Sequence, residues 1–247
     1  MAGHAARGTG GGSVGGSDPD AGDTKSYSLT NTAGGRFAIN RTTGALTVAN
    51  NTLLNYEAAT SHAVTVRVTD RGGLTYDETF TINLTNVNEA PSGTNATVTI
   101  TEDTAHVLTA ANFGFSDVDA GDALSAVRID TLPTAGTLTL SGTAVTAGQV
   151  ITTADLAASQ LVFTPAANAN GTGYARVAFS VGDSTSLYDQ TPNTLTVNVT
   201  AVNDRPTDLS LSSKLVAENA AKGTVVGTVR GNDPDAGDPN SDRLTKT

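Results

Sequence analysis

The residues best suited to chemistry are carboxylates and amides carried in short loops. SDVDAGD at 116–122 brings Asp117 and Asp119 close together, and near copies stand at 17–23 (SDPDAGD) and 232–238 (NDPDAGD). A second cassette, NVNEAP at 86–91, returns as AVNDRP at 201–206. Closely spaced Asp with Asn and backbone carbonyls offers the hard oxygen donors that calcium takes in sets of about six to eight. Zinc would prefer imidazole or thiolate. There is no cysteine, and the three histidines, His4, His62 and His106, lie outside these loops. The same residues also serve a purely structural purpose, because Asp and Asn bond their own backbone and Pro with Gly completes a tight turn. Three copies, two of them following an acidic or amide-rich linker, favour bound cations over turn capping.

Little else points to catalysis. GGSVG at 11–15 matches the nucleophile-elbow pattern around Ser13, but a glycine tract supplies neither the strand nor the helix that strains such a serine. His62 opens a strand and is expected on its polar side. The pair Asp117 and Asp119 could in principle do acid–base work, yet a loop repeated at each domain start is a poor candidate for a catalytic centre. The expectation is a protein without enzymatic activity and without catalytic residues. Lysine plus arginine number 14 against 24 acids, a formal charge of -10, which disfavours nucleic acid as a partner. No apolar run is long enough to span a bilayer, and 1–16 lacks the apolar core of a secretory signal. A chain of this size can bury a core without disulfides, so the missing cysteines leave export open.

The elements that must position these loops read as strands. The proline-ended cassettes begin 115 residues apart, and the acidic loops 99 and 116 residues apart. Such a period is a whole domain. Tyr27 and Leu29, Phe37 and Ile39, Leu46 and Val48, then Val64, Val66 and Val68, and Phe80, Ile82 and Leu84 alternate with polar residues. The middle stretch continues with Val98 and Ile100, Val127 and Ile129, Leu138 and Leu140, and Leu161 and Phe163. Ala175 to Val181 and Leu195 to Val199 complete it. A two-residue period marks strands with one face in a core. Only 153–158 suggests a helix, of about one turn. The fold class is therefore all-β, and about seven short antiparallel strands over 92–206 make a Greek-key sandwich the economical form; an elongated β-helix is the alternative.

The domain organisation expected is a flexible Gly-rich leader over 1–16, a partial module over 17–91 that lacks its first two strands, a complete sandwich over 92–206, and the start of a third module over 207–247. Leu209 and Leu211, then Val225 and Val229, mark that third start. Docking of one partial module on the other is a further option.

At this point the sequence resembles the cadherin repeats. KLVAENAAKGTVVGTVRGNDPDAGD at 214–238 looks like a repeat's opening. GRFAINRTTGALTV at 35–48, LNYE at 54–57, VTVRVTDRGG at 64–73 and NVNEAP look like the remainder of one. The middle module is similar to the bacterial cadherin-like and immunoglobulin-like repeats of large secreted surface adhesins, through TEDT at 101–104, LVFTPAANANGTGYARVAFSVGD at 161–183 and VNDRP at 202–206. The resemblance implies calcium shared between successive modules, making an array stiff. Carried over by position, one set of ligands is Glu57, Asn86, Asn88 and Glu89 with Asp117, Asp119 and Asp183. A second is Glu102, Asn203 and Asp204 with Asp233 and Asp235. Asn55 and Glu89 stand where the family motif has aspartate, so fewer or weaker ions are expected than in an animal cadherin.

Taken together, these readings imply an extracellular or cell-surface, calcium-binding adhesive segment. Its partner would be a surface protein, a glycan or another copy of itself in homophilic adhesion. A non-catalytic spacer or carbohydrate-binding module of an extracellular polysaccharide-processing enzyme is the alternative. The low aromatic content, 4%, disfavours a sugar platform.

Overall fold

The computed structural model describes residues 12–15, 24–205 and 207–232. By its contacts the chain divides into two units. The first holds residues 1–91 together with 116–123 and 183–188, and the second holds the remainder.

In the first unit the alternating segments form β1 (Ser26–Asn31), β2 (Phe37–Ile39), β3 (Leu46–Val48), β4 (Ser61–Thr69) and β5 (Thr75–Asn83). One sheet has the order β1-β4-β5, and β2 pairs with β3. Period-two patterning puts Val64 and Val66 on the inner face with Phe37, Leu46 and Leu54, and Leu29, Phe80 and Ile82 pack against them. The β4–β5 turn is closed by the Asp70 carboxylate, which accepts from the Leu74 amide at 2.7 Å, while Gly73 takes the left-handed φ of +88° that the turn requires. On the outer face Arg67 and Asp77, directly opposite in register, form a two-pronged ion pair with both contacts at 2.7 Å.

His62 departs from expectation. It shares the inner face with Val64, its ring centroid lies 6.4 Å from that of Phe37, and its Nε2 is buried without a hydrogen bond. Burial, then the Arg36 charge, holds its pKa below the usual histidine range. Residues 62 and 64 have equal parity, which is the physical reason: a strand cannot turn one of them outward alone.

Residues 12–15, read above as leader, run beside β3. Val14 N donates to Gly44 O and Leu46 N to Gly12 O, each at 3.0 Å, with Ser13 opposite Ala45. Gly44 permits this approach: its φ is +67°, and a Cβ there would sit 2.5 Å from Val14 O. The sequence carries the matching signal. GTGGGSVGGSDPDAGD at 8–23 aligns without gaps on GTVVGTVRGNDPDAGD at 223–238, placing Val14 on Val229. The glycines remove the apolar alternation by which such a paired segment is recognised.

The second unit contains β6 (Ala96–Thr101), β7 (His106–Val107), β8 (Ala126–Ile129), β9 (Thr137–Leu140), β10 (Thr143–Ala144) and β11 (Val150–Thr152). The one-turn helix α1 (Thr153–Ala157) follows, then β12 (Leu161–Thr164), β13 (Gly171–Gly182), β14 (Asn193–Thr200), β15 (Thr207–Leu211) and β16 (Val229–Asn232). Sheets of order β10-β9-β12-β7 and β11-β8-β13-β14-β6 enclose its core. Phe113 and Phe179 meet edge to face at 4.9 Å there, with Phe163, Ile129, Ile151 and Leu195 fully buried around them. Thr152 caps α1, accepting from the Asp155 amide, and Asp155 answers through the Thr152 amide.

Over 92–206 there are nine strands rather than seven, among the described residues, and β6 runs parallel to β14. Strands β7, β10 and β11 are two or three residues long, too short to show alternation, and strand direction leaves no periodic mark in a sequence. β15 and β16 pair with each other, and every residue of β15 is exposed. Val225, expected in that second strand, lies outside it and is exposed.

Candidate cation-binding site

Four segments of the first unit bring acidic side chains together. Leu54, buried in the core, anchors the segment that follows β3. The Asn55 side chain accepts from the Ala58 amide at 2.7 Å, shaping the turn that presents Glu57. After β5 the irregular NVNEAP segment contributes two amides and a buried carboxylate. Asn86 Nδ2 donates to Asp119 Oδ1 at 2.7 Å, and Asn88 Nδ2 donates to Asp183 Oδ2 at 2.9 Å. The Glu89 amide donates to Asp119 Oδ2 at 2.8 Å.

The 116–122 loop is built as an Asx turn, with the Asp119 amide on Asp117 Oδ1 at 2.9 Å. Gly121, at φ +101°, then folds Asp122 back. Asp122 accepts from Ser184 Oγ. Asp183, directly after β13, is fully buried and receives the amides of Thr185 and Leu187 at 2.8 and 2.9 Å.

The result is two groups of carboxylates. Glu57, Glu89 and Asp119 form one, and Asp117, Asp122 and Asp183 the other; within each, the ligand atoms lie within 4.8 Å of one another. Two oxygens bound to one calcium at about 2.4 Å stand at most about 4.8 Å apart, so either group fits around a single ion. Burial, then the charges of Glu57, Asp119 and Asp117, drives the Glu89 pKa upward. Burial also raises the Asp183 pKa, but donors from Asn88, Leu187 and Thr185 outweigh it, and the net shift is downward.

The residues fit calcium on an observation independent of any family. The Asx turn uses only Asp117 Oδ1, while Asp117 Oδ2 is buried without a hydrogen-bond partner. A buried carboxylate oxygen in that state is costly unless a cation meets it. Glu57, Asn86, Asn88, Glu89, Asp117, Asp119 and Asp183 thus all fall in one place. Asp122 and Ser184 join them unforeseen, although Asp122 closes the very motif that drew attention.

The second expected set is not gathered in this way. Glu102 is buried in the second unit, where Val202 N donates to it at 2.6 Å and Asn170 Nδ2 at 3.0 Å. Those hydrogen bonds, the Asn170 side chain first, lower its pKa. Asn203 is exposed and bonds its neighbour's carbonyl, that of Asp204. Asn168, with its amide nitrogen toward the acids, reaches Asp204 Oδ2 at 2.9 Å and Asp103 Oδ2 at 3.3 Å. Asp233 and Asp235 lie outside the described residues.

Residues 4–101 match the cadherin domain family model. Among solved structures, the chain is similar to human CDH23 EC21-23 at 20% identity and a TM-score of 0.53, covering 91% of this chain and 78% of that one. It is also similar to human protocadherin-24 EC1-2, at 18% identity and a TM-score of 0.51, covering 75% and 84%. For protocadherin gamma B7 domains 1-4 the values are 16%, 0.54, 87% and 50%. At these identities the likeness is one of fold. No curated protein matches the sequence. Among the described residues no helix is long and apolar enough to cross a membrane.

Proposed function

We propose that this chain is a calcium-binding, non-enzymatic repeat segment of extracellular adhesion type. The observation that carries the reading is the pairing of two carboxylate triads with a buried, unbonded Asp117 Oδ2 in a cadherin-like repeat. Glu57, Glu89 and Asp119 would hold one ion, with the Asn86 amide released to offer its oxygen. Asp117, Asp122 and Asp183 would hold another. Calcium supplies the positive charge that lets these carboxylates stay ionised together while the linker is tied to the 116–122 and 183–188 loops.

Glu102, Asn203, Asp204, Asp233 and Asp235 would serve a second site, and the domain boundaries at 17–91, 92–206 and 207–247 belong to the same proposal. A stiff array, a cell-surface location and a homophilic, protein or glycan partner are its finer parts. Scattering with and without calcium tests the stiffness, and a bead-association assay tests self-adhesion.

The deciding experiment is calcium titration calorimetry of the whole chain beside its Asp117→Asn/Asp183→Asn variant. Calcium is expected to bind the parent at millimolar or lower concentration, the range of extracellular modules, and the variant at least tenfold more weakly. Equal isotherms would remove calcium from these residues.

A further inference from the structure

A second feature of the first unit lies on the β1-β4-β5 sheet. There a cavity of about 480 Å³ is lined by Tyr27, Tyr76, Phe80, Glu78, Val66 and Val68, with Val14 and Gly15 at one side. Its volume falls within the roughly 300–1,000 Å³ of small-ligand sites. The register explains the arrangement. Tyr27 and Tyr76 stand on either side of Val68, each directly opposite it. Neighbouring strands are about 4.8 Å apart, so the two rings are carried roughly 10 Å apart, with a valine floor between them. One step along, Glu78 stands opposite Val66, and one step further Phe80 stands opposite Val64.

The chemistry of the lining is selective. Three aromatic side chains and one carboxylate surround the space, and among the described residues no lysine or arginine lines it. Tyr76 OH donates to Glu78 Oε2 at 2.6 Å, which holds the carboxylate at the wall and leaves it further acceptor capacity. Aromatic faces carry negative potential and attract organic cations, whose methyl groups also fit an apolar floor. A neutral apolar molecule would gain the floor and nothing from Glu78, while an anion would be repelled.

Room at the covering side is also provided by sequence. Gly15 aligns on Arg230 in the repeat noted above, and a Cβ placed on Gly15 meets nothing within 4 Å.

We propose that this cavity binds a quaternary-ammonium small molecule between Tyr27 and Tyr76 with Glu78 as its counter-charge. The site shares no residue with the acidic loops and is independent of the calcium reading. The probe is choline, with 3,3-dimethylbutanol as its neutral isostere, titrated into the full chain at saturating calcium and again in chelator. Amide and tyrosine-ring chemical shifts provide the readout.

Choline is expected to shift resonances of Tyr27, Tyr76 and Val68 saturably, and the alcohol to bind roughly three- to thirtyfold more weakly, the span of a cation–π contact. Tyr76→Leu and Glu78→Gln should each weaken choline without lowering the melting temperature by more than a small margin. Gly15→Phe should block choline by filling the space. If Gly15→Phe does not fold, Tyr76→Leu and Glu78→Gln decide the matter. Equal affinity for choline and the alcohol, choline binding unchanged in both of those variants, or no shift at millimolar choline would each overturn the proposal.

Discussion

Replacing Glu89 by glutamine should change the sign of its effect when calcium is added. The side chain is buried, and its ligand atom lies within 4.8 Å of those of Glu57 and Asp119. Two unit charges at that separation repel by about 1 kcal/mol in a water-like medium and by about 3.5 kcal/mol at an effective dielectric near 20. Glu57 is exposed, which puts its share at the weak end. Relief of the repulsion should therefore stabilise the calcium-free first unit by about 1–3 kcal/mol, several degrees in melting temperature for a domain of this size. The backbone contacts survive, since the Glu89 amide and carbonyl, which meet Asp119 and Asn88, are unchanged by the substitution. With calcium present the same change removes an ionised ligand. A tenfold weaker affinity cuts the mass-action stabilisation by about 1.4 kcal/mol.

The pH dependence gives a second readout. A carboxyl whose folded pKa is raised favours the folded state when protonated. That contribution is complete below the unfolded value and is lost as pH rises through the folded one. The calcium-free parent should gain on the variant as pH falls from neutral toward the ordinary glutamate range, while the calcium response of the parent shrinks over the same interval. Calorimetric scans of both proteins in chelator and in calcium provide the check. A glutamine variant that melts lower in chelator, or one that keeps the full calcium increment, would refute the reasoning.

Other substitutions test the scaffold. Gly44→Ala should cost about 1–3 kcal/mol, from the positive φ and the clash with Val14 O, visible as a lower first transition in thermal melts. Phe179→Ala, opening a void beside Phe113, should cost about 3–5 kcal/mol in denaturant unfolding. Glu102→Gln should lower the melting temperature at neutral pH; because hydrogen bonds depress the Glu102 pKa, the parent's advantage should fade as pH drops through that lowered value. Arg67→Ala should lower the melting temperature only slightly, and less at high salt, since both partners of that ion pair are solvent-exposed.

Most of the sheet architecture was legible because burial on one face writes a two-residue period. The alternations at Val64 to Val68, Ala175 to Val181 and Leu195 to Val199 each became a strand with those residues inward. Even the short helix was readable, expected over 153–158 and found at Thr153–Ala157. What failed did so for definite reasons. β7 and β10 are two residues each, one period at most. His62 was placed by its polarity, whereas backbone parity with Val64 decides its face. The bridge from Ser13 to Ala45 left no mark because glycine carries no side chain to alternate, although the gapless match of 8–23 to 223–238 was open to inspection.

The site was legible in part because cation ligation and turn formation draw on the same residue types but use different atoms. An Asx turn needs one oxygen of Asp117, and the sequence alone cannot say what becomes of the other. The structure separates the two uses: Oδ1 closes the turn, and Oδ2 is left buried without a hydrogen bond. Asp122 could have been foreseen by the same logic, since a glycine free to take positive φ one position earlier lets the chain return its carboxylate toward Asp117. Glu102 shows the opposite case. Its carboxylate is already met by the Val202 amide and the Asn170 side chain, so each of its oxygens has a protein donor, and its acidity alone was a weaker signal than the company it keeps.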